Sequence, residues 1–210
     1  MRQINARRGA KILMAAVEVF AKKGLKGATI RAIGKRAGVN SALIYYYYGN
    51  KQTLFIESIK YILRGFFEQL ESELKRYETA EERLAFLVNG IFNYYARNPQ
   101  RLRLMGVVLV MHSELVGKVI RQFLRERSSL PLQVVAEGIA MGQLRRANPV
   151  QVWWTVLGAC MLSIKMHQVV NNKSGEYGGF EFPSVEESRS QIIQLLCYGL
   201  KNNGKRMGEQ

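Results

Sequence analysis

Side chains that carry covalent or acid–base chemistry are scarce in this chain. It has no aspartate, two histidines (His112 and His167) and two cysteines (Cys160 and Cys197). Neither histidine stands in a metal-binding pair, at a nucleophile elbow or in a glycine-rich phosphate loop. The cysteines lack metal-ligand spacing and make no disulfide framework. Both fall in apolar helical patterns, as buried free thiols of a reducing cytoplasm do. No catalytic residue, metal site or cofactor is assigned, and an enzyme is not expected. Positive charge is what the chain has in excess. The net charge is +15, and residues 1–51 hold eleven lysines and arginines against one acid, Glu18. Residues 52–100 hold six bases and seven acids. An excess so confined points to a polyanionic partner, and nucleic acid fits best.

The elements that must position this charge are two short helical patterns in 29–51, TIRAIGKRAGVNSALIYYYYGNK. Thr29 is a good N-cap, and Ile30, Ile33 and Ala37 share one helix face. Gly38 supplies the positive φ of a sharp helix-to-helix turn, which Val39 plugs. Asn40 caps a second helix, with Ile44 and Tyr47 inward and Ser41, Ala42, Leu43, Tyr45 and Tyr46 outward. This is a helix-turn-helix whose second helix, only ~10 Å long, is the candidate recognition helix. Helical geometry spreads the four tyrosines around the cylinder, so they form no single stacking platform. Leu43 offers apolar contact to a thymine methyl; Arg31 has the fork to take guanine O6 and N7, or else one more phosphate. The ammonium of Lys51, opening the next helix, is placed for a backbone phosphate.

Phe20, Gly24, Thr29, Ile33, Ala37-Gly38-Val39, Tyr45 and Lys51 fall in the order and spacing of the TetR (TetR/AcrR) transcriptional regulators, which the first quarter of the chain resembles. The resemblance implies phosphate contacts at Thr29 and Tyr45, through a hydroxyl and a backbone amide. With the residues read above, the DNA-binding set is Thr29, Arg31, Asn40, Ser41, Ala42, Leu43, Tyr45, Tyr46 and Lys51. Two positions depart from the family pattern: Leu43 stands where small or hydroxylated residues are usual, and Gly34 where alanine is common. The resemblance also implies an effector pocket and dimerisation through the last two long helices.

Residues 6–23 are predicted to form a bracing helix ended by Gly24, with Ile12, Ala15, Ala16, Val19 and Phe20 in one stripe. Glu18 and Lys22-Lys23 interrupt the apolar N-terminus, so it is not read as a signal peptide. A fourth helix runs from near Lys51 to about Tyr77, with Leu54, Ile62, Phe66, Leu70 and Leu74 inward, long enough to be a rigid connector. Thr79 and Glu82 make a capping box for a helix through Leu84, Leu87, Val88, Ile91, Tyr94 and Tyr95. Further helices are expected from Asn98-Pro99 to about Ser113, over 114–127, 131–146 and 150–171, and from Pro183-Ser184 to about Asn202. The stretch NNKSGEYGGFEFP is too rich in glycine for a helix, and no strand pattern is convincing. The fold class is all-α: an N-terminal three-helix helix-turn-helix domain over 1–52, joined by a long helix to a C-terminal helical effector-binding and dimerisation domain over 53–210. The longest uncharged run, 147–164, falls short of the ~20 apolar residues that span a bilayer, so no membrane partner is expected and the location is cytoplasmic.

The helix over 150–171 is apolar on nearly every side, and the last helix repeats this with Ile192, Ile193, Leu195, Leu196, Cys197 and Leu200. Such helices are buried on both sides. A second copy of the chain is expected to supply the second surface, with Gly158 and Gly199 permitting close approach. Candidates for an apolar effector cavity are Phe92, Tyr95, Met105, Leu109, Met111, His112, Trp153, Met161 and His167, residue types that equally serve as plain core. The expected function is a ligand-responsive transcriptional regulator, a repressor. It would bind an inverted-repeat operator in double-stranded DNA as a homodimer and be released by a small hydrophobic or amphipathic effector rather than a sugar or nucleotide. The alternative is a constitutive or architectural DNA binder without an effector.

Overall fold

Glycine and asparagine divide the N-terminal residues into helices. Helix α1 (Arg2–Gly27) is broken at Gly24, whose φ of 65° a side chain would resist. Short helices α2 (Ile30–Ala37) and α3 (Ser41–Tyr48) follow, then the long α4 (Lys51–Leu74). The computed structural model describes residues 2–111, 114, 117–119, 121–122, 129–170, 176–177 and 179–202.

Packing divides the chain into two compact units: Met1–Gly65 with Asn98–Glu126, and Phe66–Arg97 with Arg127–Gln210. Helix α4 is continuous and belongs to both. In the first unit α6 (Pro99–Met111) lies along α1. Ile12, Ala16, Phe20, Ile33, Ile44, Leu54, Phe55, Leu104 and Val108 are fully buried here. Each of the larger side chains contributes about 1.5–3 kcal/mol on burial. Phe20 meets Phe55 edge-on, ring centroids 5.0 Å apart, which sets α1 against the first turns of α4.

The second unit holds α5 (Ala80–Ala96), α7 (Ser129–Ala140), α8 (Pro149–Val170) and α9 (Val185–Leu200) beside the end of α4. The expected capping box is formed: Thr79 Oγ1 accepts from Glu82 N–H at 3.2 Å, and the Glu82 carboxylate accepts from Thr79 N–H at 3.0 Å. A second box, Ser184 with Glu187, opens α9. Phe66 stands among Tyr94, Tyr95 and Trp153, with centroids 5.4, 6.0 and 6.5 Å away. A Cβ at Gly90 would collide with Leu70 Cδ2, so a larger residue there would make that side chain shift.

Three expectations need correction. The helix expected over 131–146 begins at Ser129 and ends at Ala140. Gly142 takes a φ of 71°, and the N–H groups of Gln143 and Leu144 both turn back to Gly138 O at 2.9 Å. Leu144 then pairs with Lys201 in an antiparallel bridge, which also stops α9 at Leu200 instead of Asn202. In the glycine-rich stretch, Glu176–Tyr177 and Phe180–Glu181 pair as short antiparallel strands β1 and β2, turning at Gly179 with a φ of 84°. This ribbon leaves the helical class unchanged. Of the helix expected over 114–127, residues 114, 117–119 and 121–122 are helical, and the others lie outside the described residues.

Candidate nucleic-acid interface

The interface begins with capped helix ends. Thr29 Oγ1 accepts from Ala32 N–H at 3.1 Å, fixing the start of α2. Gly38 closes α2 in the left-handed region (φ 64°, ψ 39°), and Val39 N–H donates to Gly34 O at 3.0 Å. The turn is tight enough that a Cβ on Gly34 would sit 2.7 Å from Val39 O. That contact accounts for glycine at one of the two positions that depart from the family pattern. Asn40 Oδ1 accepts from Leu43 N–H at 2.8 Å and opens α3. Gly49, at φ 71°, closes α3, and Asn50 Oδ1 accepts from Thr53 N–H at 2.8 Å to open α4.

So anchored, α3 buries Ile44 and half-buries Tyr47, while Tyr46 is 81% exposed. Ala42 and Tyr45 are exposed; Ser41 and Leu43 are half-buried. An open groove of about 690 Å³ is lined by Arg8, Gly38, Val39, Asn40, Ala42, Leu43 and Tyr46. The structure therefore gathers Asn40, Ala42, Leu43 and Tyr46 on one surface. Thr29, Arg31, Ser41, Tyr45 and Lys51 are not among its lining residues.

Lys51 is engaged within the protein. Its ammonium donates to Ala28 O at 3.0 Å and Lys26 O at 3.4 Å, tying the start of α4 to the α1–α2 connection. An ammonium has three N–H donors, so one remains for a phosphate. The Arg36 guanidinium is held by Glu18 at 2.6 Å. Two residues were not singled out by sequence reasoning. Arg8 is one of eleven bases in a row of charge, and nothing local marks it as a groove residue. Tyr48 is the last of four tyrosines, yet its Oη donates to Gly9 O at 3.0 Å. Burial, then the charge of Glu57, raises its pKa to about 12.

The effector candidates do not form one group. Phe92, Tyr95, Trp153 and His167 are buried and Met161 half-buried in the second unit, while Met105 is buried in the first. His112 and the side chains of Leu109 and Met111 lie outside the described residues. His167 Nε2 is 3.0 Å from Ser188 Oγ and its ring stands edge-on to Phe182, so it is a satisfied core histidine whose pKa burial lowers. Arg189, missed in the sequence, holds its guanidinium 5.3 Å from the centre of the Phe92 ring. Its Nε is buried with no hydrogen-bond partner among the described residues.

Helices α8 and α9 are not covered all round in the single chain. Trp154 and Leu162 on α8 are exposed, as are Leu195 (75%) and Tyr198 (82%) on α9. A groove of about 620 Å³ on this side is lined by Glu81, Gln191, Gln194, Leu195, Cys197, Tyr198 and Lys201. A Cβ added at Gly158 or Gly199 would meet nothing within 4 Å.

Residues 12–57 match the family model of the bacterial regulatory proteins, tetR family. The HTH-type transcriptional repressor NicS of Pseudomonas putida is 36% identical over 136 residues, which are 64% of this chain and 58% of that protein. That match spans less than two thirds of NicS. The fatty acid metabolism regulator protein of Bacillus subtilis is 29% identical over 193 residues, 91% of this chain and 95% of the other. The solved structure of the transcriptional regulator FadR from Bacillus subtilis in complex with stearoyl-CoA is similar with a TM-score of 0.74 at 22% identity, over 90% of this chain and 98% of that one. Capped helices around a glycine turn, an outward tyrosine face and the family match at those same residues agree: residues 12–57 form the N-terminal module of the bacterial regulatory proteins of the tetR family, and the chain at large is similar to regulators of that kind.

Proposed function

We propose that this protein is a cytoplasmic transcriptional repressor, not an enzyme. It binds an inverted-repeat operator as a homodimer and leaves it when an amphipathic effector, an acyl thioester of coenzyme A, binds the C-terminal helices. The observation that carries the reading is the groove beside α3. Ala42, Leu43 and Tyr46 face outward there, within the 51 residues that hold a net charge of +10. Residues 1–52 serve DNA; residues 53–210 serve effector and partner.

The exposed apolar faces of α8 and α9 suit a second copy, and a two-fold protein imposes two-fold symmetry on its site. No helix among the described residues is long and apolar enough to cross a membrane. The effector class rests on the relatives: one is named for fatty acid metabolism, and a similar fold holds stearoyl-CoA. The buried Nε of Arg189, which has no hydrogen-bond partner among the described residues, suits an anionic head. Coenzyme A carries a nucleotide, so the expectation against nucleotides gives way to amphipathic character as the criterion. Helix α4, which begins in the DNA-binding unit and ends in the other, is the route of coupling.

The test is selection from a randomised duplex library, followed by titration with stearoyl-CoA. A two-fold symmetric motif is expected, with operator affinity falling about 5–150-fold on ligand binding. Recovery of no motif would remove the DNA-binding reading. A motif bound equally well at saturating stearoyl-CoA would leave a DNA binder that this ligand does not control.

A further inference from the structure

The recognition helix, SALIYYYY, carries no charged side chain. A helix set between two phosphate backbones draws much of its affinity from cations, so neighbouring elements must supply them. Two nearby cations are already engaged: Lys51 on the carbonyls of Lys26 and Ala28, and Arg36 on Glu18. On the α1 side the situation differs. Arg8 lines the groove that Ala42, Leu43 and Tyr46 also line. Lys11, one turn along and on the same face of α1, is exposed. Its ammonium lies 3.5 Å from where a Cβ on Gly38 would stand, directly over the turn. Neither Arg8 nor Lys11 has a hydrogen bond or ion pair among the described residues. Tyr48 fixes this arrangement, because its bond to the carbonyl of Gly9 joins the end of α3 to the residue beside Arg8.

We infer that Arg8 and Lys11 form a phosphate clamp on α1, gripping the DNA backbone that flanks the recognition helix, with Tyr48 as its positioning residue. The inference rests on the DNA-binding reading above. Arg8 takes a phosphate through its planar fork and Lys11 as a point charge. The clamp sets register and affinity and reads no bases.

The experiment measures binding of the full chain to its selected operator between 50 and 200 mM salt. Each phosphate contact contributes about 0.9 to the slope of log affinity against log salt. Arg8→Ala and Lys11→Ala should each lower that slope by about one per protomer, and the double variant by about two, with the selected motif unchanged. Arg8→Lys should keep most of the slope. Tyr48→Phe should weaken operator binding in the wild-type background and much less in the Arg8→Ala background; equal losses in both would show a merely structural tyrosine and remove its positioning role. Unchanged slopes at Arg8 and Lys11, with wild-type protein still selecting a motif, would overturn the clamp alone. A motif altered at one base pair by Arg8→Ala would make Arg8 a base reader and overturn it too. Wild-type protein selecting no motif would remove the DNA-binding reading, and the clamp with it.

Discussion

Tyr46 and Tyr198 are exposed to the same degree, 81% and 82%, on helices of different units. Tyr46 shares its groove with Arg8, Asn40 and Ala42, in a stretch of net charge +10. Tyr198 shares its groove with Leu195, Gln191, Gln194 and a Glu81–Lys201 balance of charge. An exposed ring amid uncompensated cations suits a polyanion, whereas one amid apolar and amide groups suits another protein surface. The side chain is the same; the field around it differs.

The largest effect should come from breaking the protein-facing surface. Gly158→Leu fills the open space on α8, and Leu195→Glu places charge in an apolar face. Either should cost about 2–4 kcal/mol of dimer stability, the range of interface hot spots, and lower operator affinity with it. Sedimentation equilibrium checks this; an intact dimer that still binds DNA would place the interface elsewhere. Next is Gly34→Ala, whose added Cβ would press on Val39 O. A loss of about 1–3 kcal/mol in urea unfolding is expected, with operator binding reduced and the dimer contact itself unaltered.

The direct comparison is Tyr46→Ala against Tyr198→Ala. The first should change sequence preference by about 1–3 kcal/mol at its base contact and leave dimerisation alone; the second should do the reverse. Any crossover, with Tyr46→Ala dissociating the dimer, would erase the distinction. Lys51→Ala sharpens the charge argument. Losing two hydrogen bonds to carbonyls should cost about 1 kcal/mol of stability. If the third N–H reaches a phosphate, the salt slope falls by about one as well.

The smallest effect is pH dependence. Burial raises the Tyr48 phenol from its ordinary pKa of about 10 to about 12. The folded state favours the protonated phenol, so its contribution is complete below pH 10 and is lost as pH rises through 12. With Tyr48 only half-buried, about 1 kcal/mol survives solvent screening. Urea midpoints should fall more steeply between pH 10 and 12 in the wild type than in Tyr48→Phe. Parallel profiles would assign the decline to other groups.

Local chemistry was legible in the sequence, and distant chemistry was not. Thr29, Asn40, Thr79 and the turn glycine Gly38 act within three or four residues of themselves, so spacing alone identified them. The tie from Lys51 to Ala28 spans 23 residues and exists only because α4 returns to the α1–α2 connection. Arg8 comes to line the same groove as Tyr46 for a similar reason. The apolar run before Arg146 looked helical, but Leu144 gains a bridge partner 57 positions away at Lys201, which local propensity cannot anticipate. Met105 and Trp153 carry the same apolar signature, and only packing assigns them to different units.

The two cysteines have a practical consequence. Burial pushes the Cys160 thiol to about 12, and burial with the nearby Glu81 charge pushes Cys197 to about 11. At neutral pH roughly one part in ten thousand or less is thiolate, the form that maleimides and methanethiosulfonates attack. The native chain is therefore nearly silent toward such reagents. Tyr46→Cys would add a single reactive handle per protomer, and spin labels placed there would report the distance between two recognition helices directly.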